Sequence, residues 1–203
     1  MDMKYFKLLI VCLFSTFMIS GCGGKKSGTP EVDSDTVNAA DLVDKDKTLY
    51  GICGEATAMN TLQLITDNGD TLNISIEHAR DNNMVFGGLE AMNKMAVLLA
   101  PDSSAIEVIN LSSMLGNWVE PNPLDGSSMQ GLTIKESGIA TSIENTVTYK
   151  TWRIFNGKLL LTYINEGSMN DNETVDTFEI KSLGNDSLTI SNPNENHQFS
   201  RRR

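Results

Sequence analysis

Two runs of alternating apolar and polar residues, 147–155 and 158–164, are separated by Asn156-Gly157 alone. A two-residue Asn-Gly link accepts left-handed backbone at both positions, so it specifies a tight antiparallel hairpin. The pattern recurs across the C-terminal half. GLTIK runs through Glu136-Ser137-Gly138 into IATSI, and TVDTFEI runs through Leu183-Gly184-Asn185-Asp186 into SLTI. HQFSR closes the set, and a Gly-x-Trp at Gly116–Trp118 opens it. Short strands with such regular turns exclude a helical fold and predict an up-and-down barrel or a sandwich of eight strands.

The preceding segment is also β in pattern but less regular. TLYGICGEA carries glycines in the manner of a bent barrel strand, and MNTLQLIT turns at Asp67-Asn68-Gly69-Asp70 into TLNISI. That return strand should place Leu72, Ile74 and Ile76 on one face. An excursion over 77–91, in which EHARDNN reads as a short helix or loop, precedes NKMAVLL and AIEVINL. Five strands with the long excursion after the third resemble an oligonucleotide/oligosaccharide-binding (OB) barrel over residues 47–112. The strands lack the aromatic and basic face that stacks bases, and the net charge of −10 opposes a phosphate partner, so no nucleic-acid role is expected.

The N-terminus carries a different signal. Lys4 and Lys7 precede an apolar run over 8–18, which as a helix would rise roughly 16 Å, too short to span a bilayer. Residues 1–21 read as a signal peptide. Ile19-Ser20-Gly21-Cys22 resembles a bacterial lipobox, which implies cleavage before Cys22 and lipidation of its thiol. Residues 22–46, rich in Gly, Ser, Thr and Asp, read as a flexible tether, with at most a helical turn over 39–43. Of the three cysteines, Cys12 would leave with the leader and Cys22 would be acylated. Cys53 is then unpaired and expected to be a small buried hydrophobe.

LGNW at 115–118, QGLTIKESGIATSI, YKTWRI, NGKLLLTYI and DTFEIKSLGNDSLTI together resemble the lipocalin-like domain of lipoproteins from Gram-negative gut bacteria. The resemblance covers residues 113–203 and implies a lipocalin-like eight-stranded antiparallel barrel behind a small β domain. It implies that Gly116 and Trp118 plug one end of the barrel, with Arg201 packed over the indole. Asp176-Thr177-Phe178 is a loose counterpart of a second family motif. It also implies a position at the outer membrane, on its periplasmic face, since Gly23 rather than aspartate follows the cysteine. Asp35-Thr36-Val37 resembles an O-glycosylation triplet of such bacteria, making Thr36 a candidate acceptor.

Alternation along 147–154 puts Thr148, Lys150, Trp152 and Ile154 on one face and Val147, Tyr149, Thr151 and Arg153 on the other. Leu159, Leu161 and Tyr163 share a face of the next strand. Trp152, Tyr163 and Tyr149 are the candidate ligand-lining side chains, and Met114, Met129 and Met169 lie near strand ends where a mouth could open. His78 and His197 stand far apart with no metal-ligand spacing, and no phosphate loop or nucleophile elbow occurs. Carboxylates concentrate in the tether and turns. The expectation is therefore a non-enzymatic, membrane-anchored module without cofactor or metal, binding a small hydrophobic or glycan-like ligand. The alternative is an envelope protein–protein adaptor that binds a partner through loops such as 165–173.

Overall fold

A computed structural model provides the coordinates, and it describes residues 45–165 and 172–203. The leader, Cys22, Thr36, the tether up to residue 44, Met169 and most of the 165–173 loop lie outside the described residues. Residues 44–203 form one compact unit holding two sheet systems, antiparallel except for one short edge strand.

The first sheet contains β1 (Thr48–Cys53), β2 (Thr61–Thr66), β3 (Thr71–Ser75), β4 (Val85–Phe86), β5 (Lys94–Leu99) and β6 (Ala105–Asn110), in the order β3-β2-β1-β5-β6-β4. The five expected strands are present, and the short helix α1 (Glu77–Asp81) fills the excursion after β3. The additional strand, β4, has two residues and pairs parallel to β6. Strands β3 and β4 end the order without pairing to each other, so the sheet stays open.

Alternation along the two central strands buries both faces. Met95, Val97 and Val108 join Cys53, Leu62, Leu64, Ile74, Ile76 and Ala79 in a core on the face under α1. Ala96 and Ile109, one residue out of phase, join Phe86 in the core that continues into the barrel. This is why MAVLL reads as continuous rather than alternating apolar sequence. At the β3 edge Ile74 and Ile76 are buried, whereas Leu72 is 37 % exposed.

The second system is a nearly closed barrel of β7 (Gly116–Pro121), β8 (Met129–Ile134), β9 (Ala140–Ile143), β10 (Val147–Phe155), β11 (Lys158–Asn165), β12 (Thr174–Leu183), β13 (Ser187–Ser191) and β14 (Asn196–Arg202). The pairing order is β10-β11-β12-β13-β14-β7-β8-β9. The seam between β9 and β10 is held by one bridge, Ile139 to Thr151, and by Ser142 Oγ, which accepts from Tyr149 N and donates to Val147 O. The β10–β11 hairpin turns at Asn156 (φ 49°) and Gly157 (φ 76°), the two left-handed residues that its sequence requires.

One face assignment is corrected. The β10–β11 register shifts between Tyr149 and Thr151, which makes Lys150 the extra residue of a β-bulge. Lys150 and Thr151 both face solvent, and Tyr149 moves onto the inner face with Trp152 and Ile154. Simple alternation fails because a bulge shifts the period by one residue.

The lower barrel is filled by its own side chains, among them Trp118, Leu132, Trp152, Leu161, Phe178 and Phe199. The two systems are latched at the β10–β11 turn. Asn156 N donates to Asp46 Oδ1 (3.0 Å), Gly157 N to Thr48 Oγ1 (3.3 Å), and Lys47 N to Asn156 Oδ1 (2.8 Å). Gly157 also leaves room for the Glu107 carboxylate, where a Cβ would collide.

Candidate functional site

The helix α2 (Leu111–Met114) connects the two systems, and its short length leaves terminal backbone groups to be satisfied by other segments. Asn110 caps its start by accepting from Ser113 N (3.0 Å), while its amide donates to Gly87 O and Gly88 O. At its end the Trp118 indole donates to Met114 O (2.7 Å). Arg201 donates through Nη2 to Ser113 O (2.7 Å), through Nη1 to Leu115 O and through Nε to Asn185 O. The same guanidinium lies 4.1 Å from the Trp118 ring centroid. Gly116, at φ 138°, leaves the space that Arg201 Nη1 occupies. The three residues expected to plug the barrel are thus brought together, and the indole is wholly buried. Met114 is buried in the same place, not at a mouth, while Met129 is 37 % exposed.

The opposite end is open. A cavity of about 460 Å³ is lined by Tyr149, Tyr163 and Phe178 together with Glu120, Asp176 and His197. Tyr149 and Tyr163 meet edge to face, 6.0 Å between centroids. The Tyr163 hydroxyl donates to Asp176 Oδ2 (2.8 Å). Burial, and then the neighbouring carboxylates, push Tyr149 up to about 12; burial and the bond to Asp176 do the same to Tyr163. His197 stacks on Phe199 at 5.4 Å and meets Phe178 edge-on. Its Nδ1 lies 2.8 Å from Glu120 Oε1 and its Nε2 lies 3.2 Å from Glu195 Oε2. The bond to Glu120 raises the imidazole above its usual range, against the opposing effect of burial. The wall therefore combines aromatic faces with hydrogen-bond acceptors. It suits a small molecule that carries several donors on an apolar frame.

Trp152 lies elsewhere. Its indole donates to Lys135 O (2.7 Å), and the ring borders a second cleft at the junction with the first sheet. The expected trio of lining aromatics is thus divided, with Tyr149 and Tyr163 at the mouth and Trp152 at the junction. The sequence reading names Asp176 in a family motif but gives it no place at a site, and it passes over Glu120 because carboxylates concentrate in the tether and turns, whereas both stand on strands, β7 and β12. A carboxylate inside an alternating apolar strand was the available signal.

Glu107 is a second such case. It is 8 % exposed, and burial, with Glu179 nearby, pushes it up to about 7 against the pull of Lys158. Cys53 is free and fully buried, as a small hydrophobe. No group of three or more His, Cys, Asp or Glu able to hold a metal ion occurs among the described residues.

An antiparallel eight-stranded barrel, stoppered at one end by a Gly-x-Trp and an arginine and open at the other, defines a cup-shaped β-barrel of the lipocalin-like class. Residues 110–202 match the lipocalin-like family model, and through this segment the chain belongs to that family. A lipocalin-like protein from Bacteroides thetaiotaomicron, known from its crystal structure, is 34 % identical over 44 % of this chain and 97 % of its own, with a TM-score of 0.40. No curated protein matches the chain.

Proposed function

We propose that the chain is a cell-envelope lipoprotein, acylated at Cys22 and held at the periplasmic face of the outer membrane, whose barrel binds a small glycan-like molecule at its mouth. The observation that carries the ligand reading is the mouth cavity of about 460 Å³, where the Tyr149–Tyr163 pair stands beside Glu120, Asp176 and His197. A sugar ring presents C–H faces to aromatic side chains and hydroxyl donors to carboxylates, and this wall offers both partners. A purely hydrocarbon ligand would strip water from those carboxylates without replacing their hydrogen bonds. The module binds rather than catalyses, and its anchor keeps it at a membrane surface. Three acyl tails at about 0.8 kcal/mol per buried CH₂ would make release very slow.

Native mass spectrometry of protein isolated from its host, followed by calorimetric titration with neutral and amino disaccharides, tests the ligand. A co-purifying saccharide mass, or a disaccharide bound by the wild type and weakened at least tenfold by Tyr149→Ala, is expected. Repeated recovery of empty protein together with no heat from any sugar would leave the adaptor reading in its place. For the anchor, Cys22→Ala should abolish metabolic lipid labelling, and persistent labelling would remove the envelope assignment.

A further inference from the structure

The junction cleft beside Trp152 has a chemistry unlike that of the mouth. It encloses about 400 Å³ where β1, α2, β10 and the 3₁₀ turn at 136–138 meet. Tyr50, Leu111, Leu115, Trp152 and Phe155 supply its aromatic and aliphatic wall. Tyr50 comes from the first sheet and Trp152 from the barrel, so neither system forms the cleft alone.

The charges at its edge are unequally used. Asp46 accepts from Thr48 N (3.0 Å), Asn156 N (3.0 Å) and the Tyr50 hydroxyl (2.8 Å), so its carboxylate is committed to the latch. Tyr50 is held further by Ile154 O (2.8 Å). Glu136 faces Lys94 at 3.8 Å. Arg153 sits over the Phe155 ring, 5.1 Å from its centroid, while burial and then the Asp46 carboxylate push the Tyr50 phenol well above its ordinary value. Among the described residues no carboxylate pairs with Arg153. The lip thus carries two acids and two bases; Asp46 is bonded within the latch and Glu136 is paired with Lys94, which leaves Arg153 as the charge there without an opposite partner among the described residues.

We infer that this cleft is a second binding site, built jointly by the two sheets, for an apolar carboxylic acid whose hydrocarbon body lies between Tyr50, Leu115 and Trp152 and whose carboxylate pairs with Arg153. Guanidinium is the side chain best suited to a bidentate carboxylate contact, and a lip position keeps that contact hydrated while the body is buried. The site stands independently of the mouth and of whatever occupies it. It also gives the attached first sheet a function, since removing Tyr50 would open one wall.

The test uses the isotope-labelled full chain and 2-naphthoate, with 2-naphthamide as the neutral isostere and decanoate as the straight-chain acid. The chain has two tryptophans, so the indole N–H signals form an internal control. Naphthoate or decanoate should shift the Trp152 indole signal and leave that of Trp118, under the plug, unmoved. Naphthoate should bind about tenfold more tightly than the amide. Arg153→Gln should abolish that preference without weakening the amide, and Arg153→Lys should restore part of it. Acid binding by both or by either class supports the site and identifies the body it prefers. Absence of any Trp152 shift, equal affinity for acid and amide, or an unchanged ratio in Arg153→Gln would overturn the inference. Because Arg153 is exposed on β10, the Gln variant should keep the wild-type spectrum elsewhere.

Discussion

The two ends of the barrel use the same ingredients, aromatic rings and charged groups, to opposite effect. At the plug, Arg201 spends its donors on the carbonyls of Ser113, Leu115 and Asn185 while covering the ring of Trp118. Nothing there is left to recognise a ligand. At the mouth, the acceptors Glu120, Asp176 and Glu195 border an open cavity, and the tyrosines above them are only partly covered. The difference teaches that a conspicuous Trp–Arg pair marks structure when its donors end on helix and turn carbonyls. A less conspicuous Tyr–Asp pair that faces free volume is where the proposed binding is to be tested.

The sharpest way to break this comparison is Arg201→Ala. It removes three hydrogen bonds to carbonyls at the end of α2 and the turn before β13, together with the cation–π contact. A loss of about 4 kcal/mol is expected in urea denaturation, with mouth binding retained in the molecules that stay folded. A loss below about 1 kcal/mol would mean that the plug is ornamental. Gly116→Ala comes next. Alanine at φ 138° is strained, and its methyl would displace Arg201 Nη1. About 2–3 kcal/mol should go, and the same substitution in an Arg201→Ala background should cost less, because part of the penalty is shared.

These two residues were legible in the sequence because Gly-x-Trp at a first strand is a local pattern, and the family resemblance that it carries implies an arginine near the last strand, at Arg201. The strands themselves were legible for the same reason: turn residues such as Asn156-Gly157 and alternating runs are properties of a few consecutive positions. The mouth was legible only in part. Alternation puts Tyr149, a candidate lining residue, on the face opposite Trp152, because nothing in VTYKTWRI announces that Lys150 forms a bulge; the bulge answers to the curvature of the barrel, not to local composition. Glu120 and His197 lie 77 positions apart, and only the pairing of β14 with β7 joins them. Glu107, inside AIEVIN, was hidden because its environment is assembled from β12 and from the β10–β11 hairpin turn.

Titration separates the two ends again, once Glu107 is accounted for. Its folded pKa of about 7 stands above its ordinary value of 4.5. For an acid raised on folding, the protonated form is the favoured one. Stability is therefore fullest below the ordinary value and falls as pH rises through the folded one. Between pH 5 and 8 the wild type should lose about 2 kcal/mol, and Glu107→Gln should remove most of that slope. The smaller remainder belongs to the mouth. His197 is raised above 6.5 by Glu120, so its contribution is complete below that pH and fades as pH rises through the folded value. The double variant Glu107→Gln, His197→Gln should be nearly flat from pH 5 to 8. A slope that survives both changes would mean that a further group titrates on unfolding.

The smallest effect on stability should come from Tyr163→Phe, and it sharpens the comparison most directly. The change deletes one hydroxyl and keeps the ring that packs edge-on against Tyr149. The lost bond to Asp176 stands at the open cavity, where water can replace the phenol as donor, so the cost should stay within about 0.5 kcal/mol. Binding should respond differently, because the hydroxyl fixes the Asp176 carboxylate and its oxygen stays available as an acceptor facing the cavity. A three- to tenfold weakening of a bound disaccharide is expected, with unchanged thermal unfolding measured on the same sample. A destabilisation above about 2 kcal/mol with unchanged binding would show that the Tyr163–Asp176 pair is a structural closure like the plug. The two ends of the barrel would then differ only in how much water they admit.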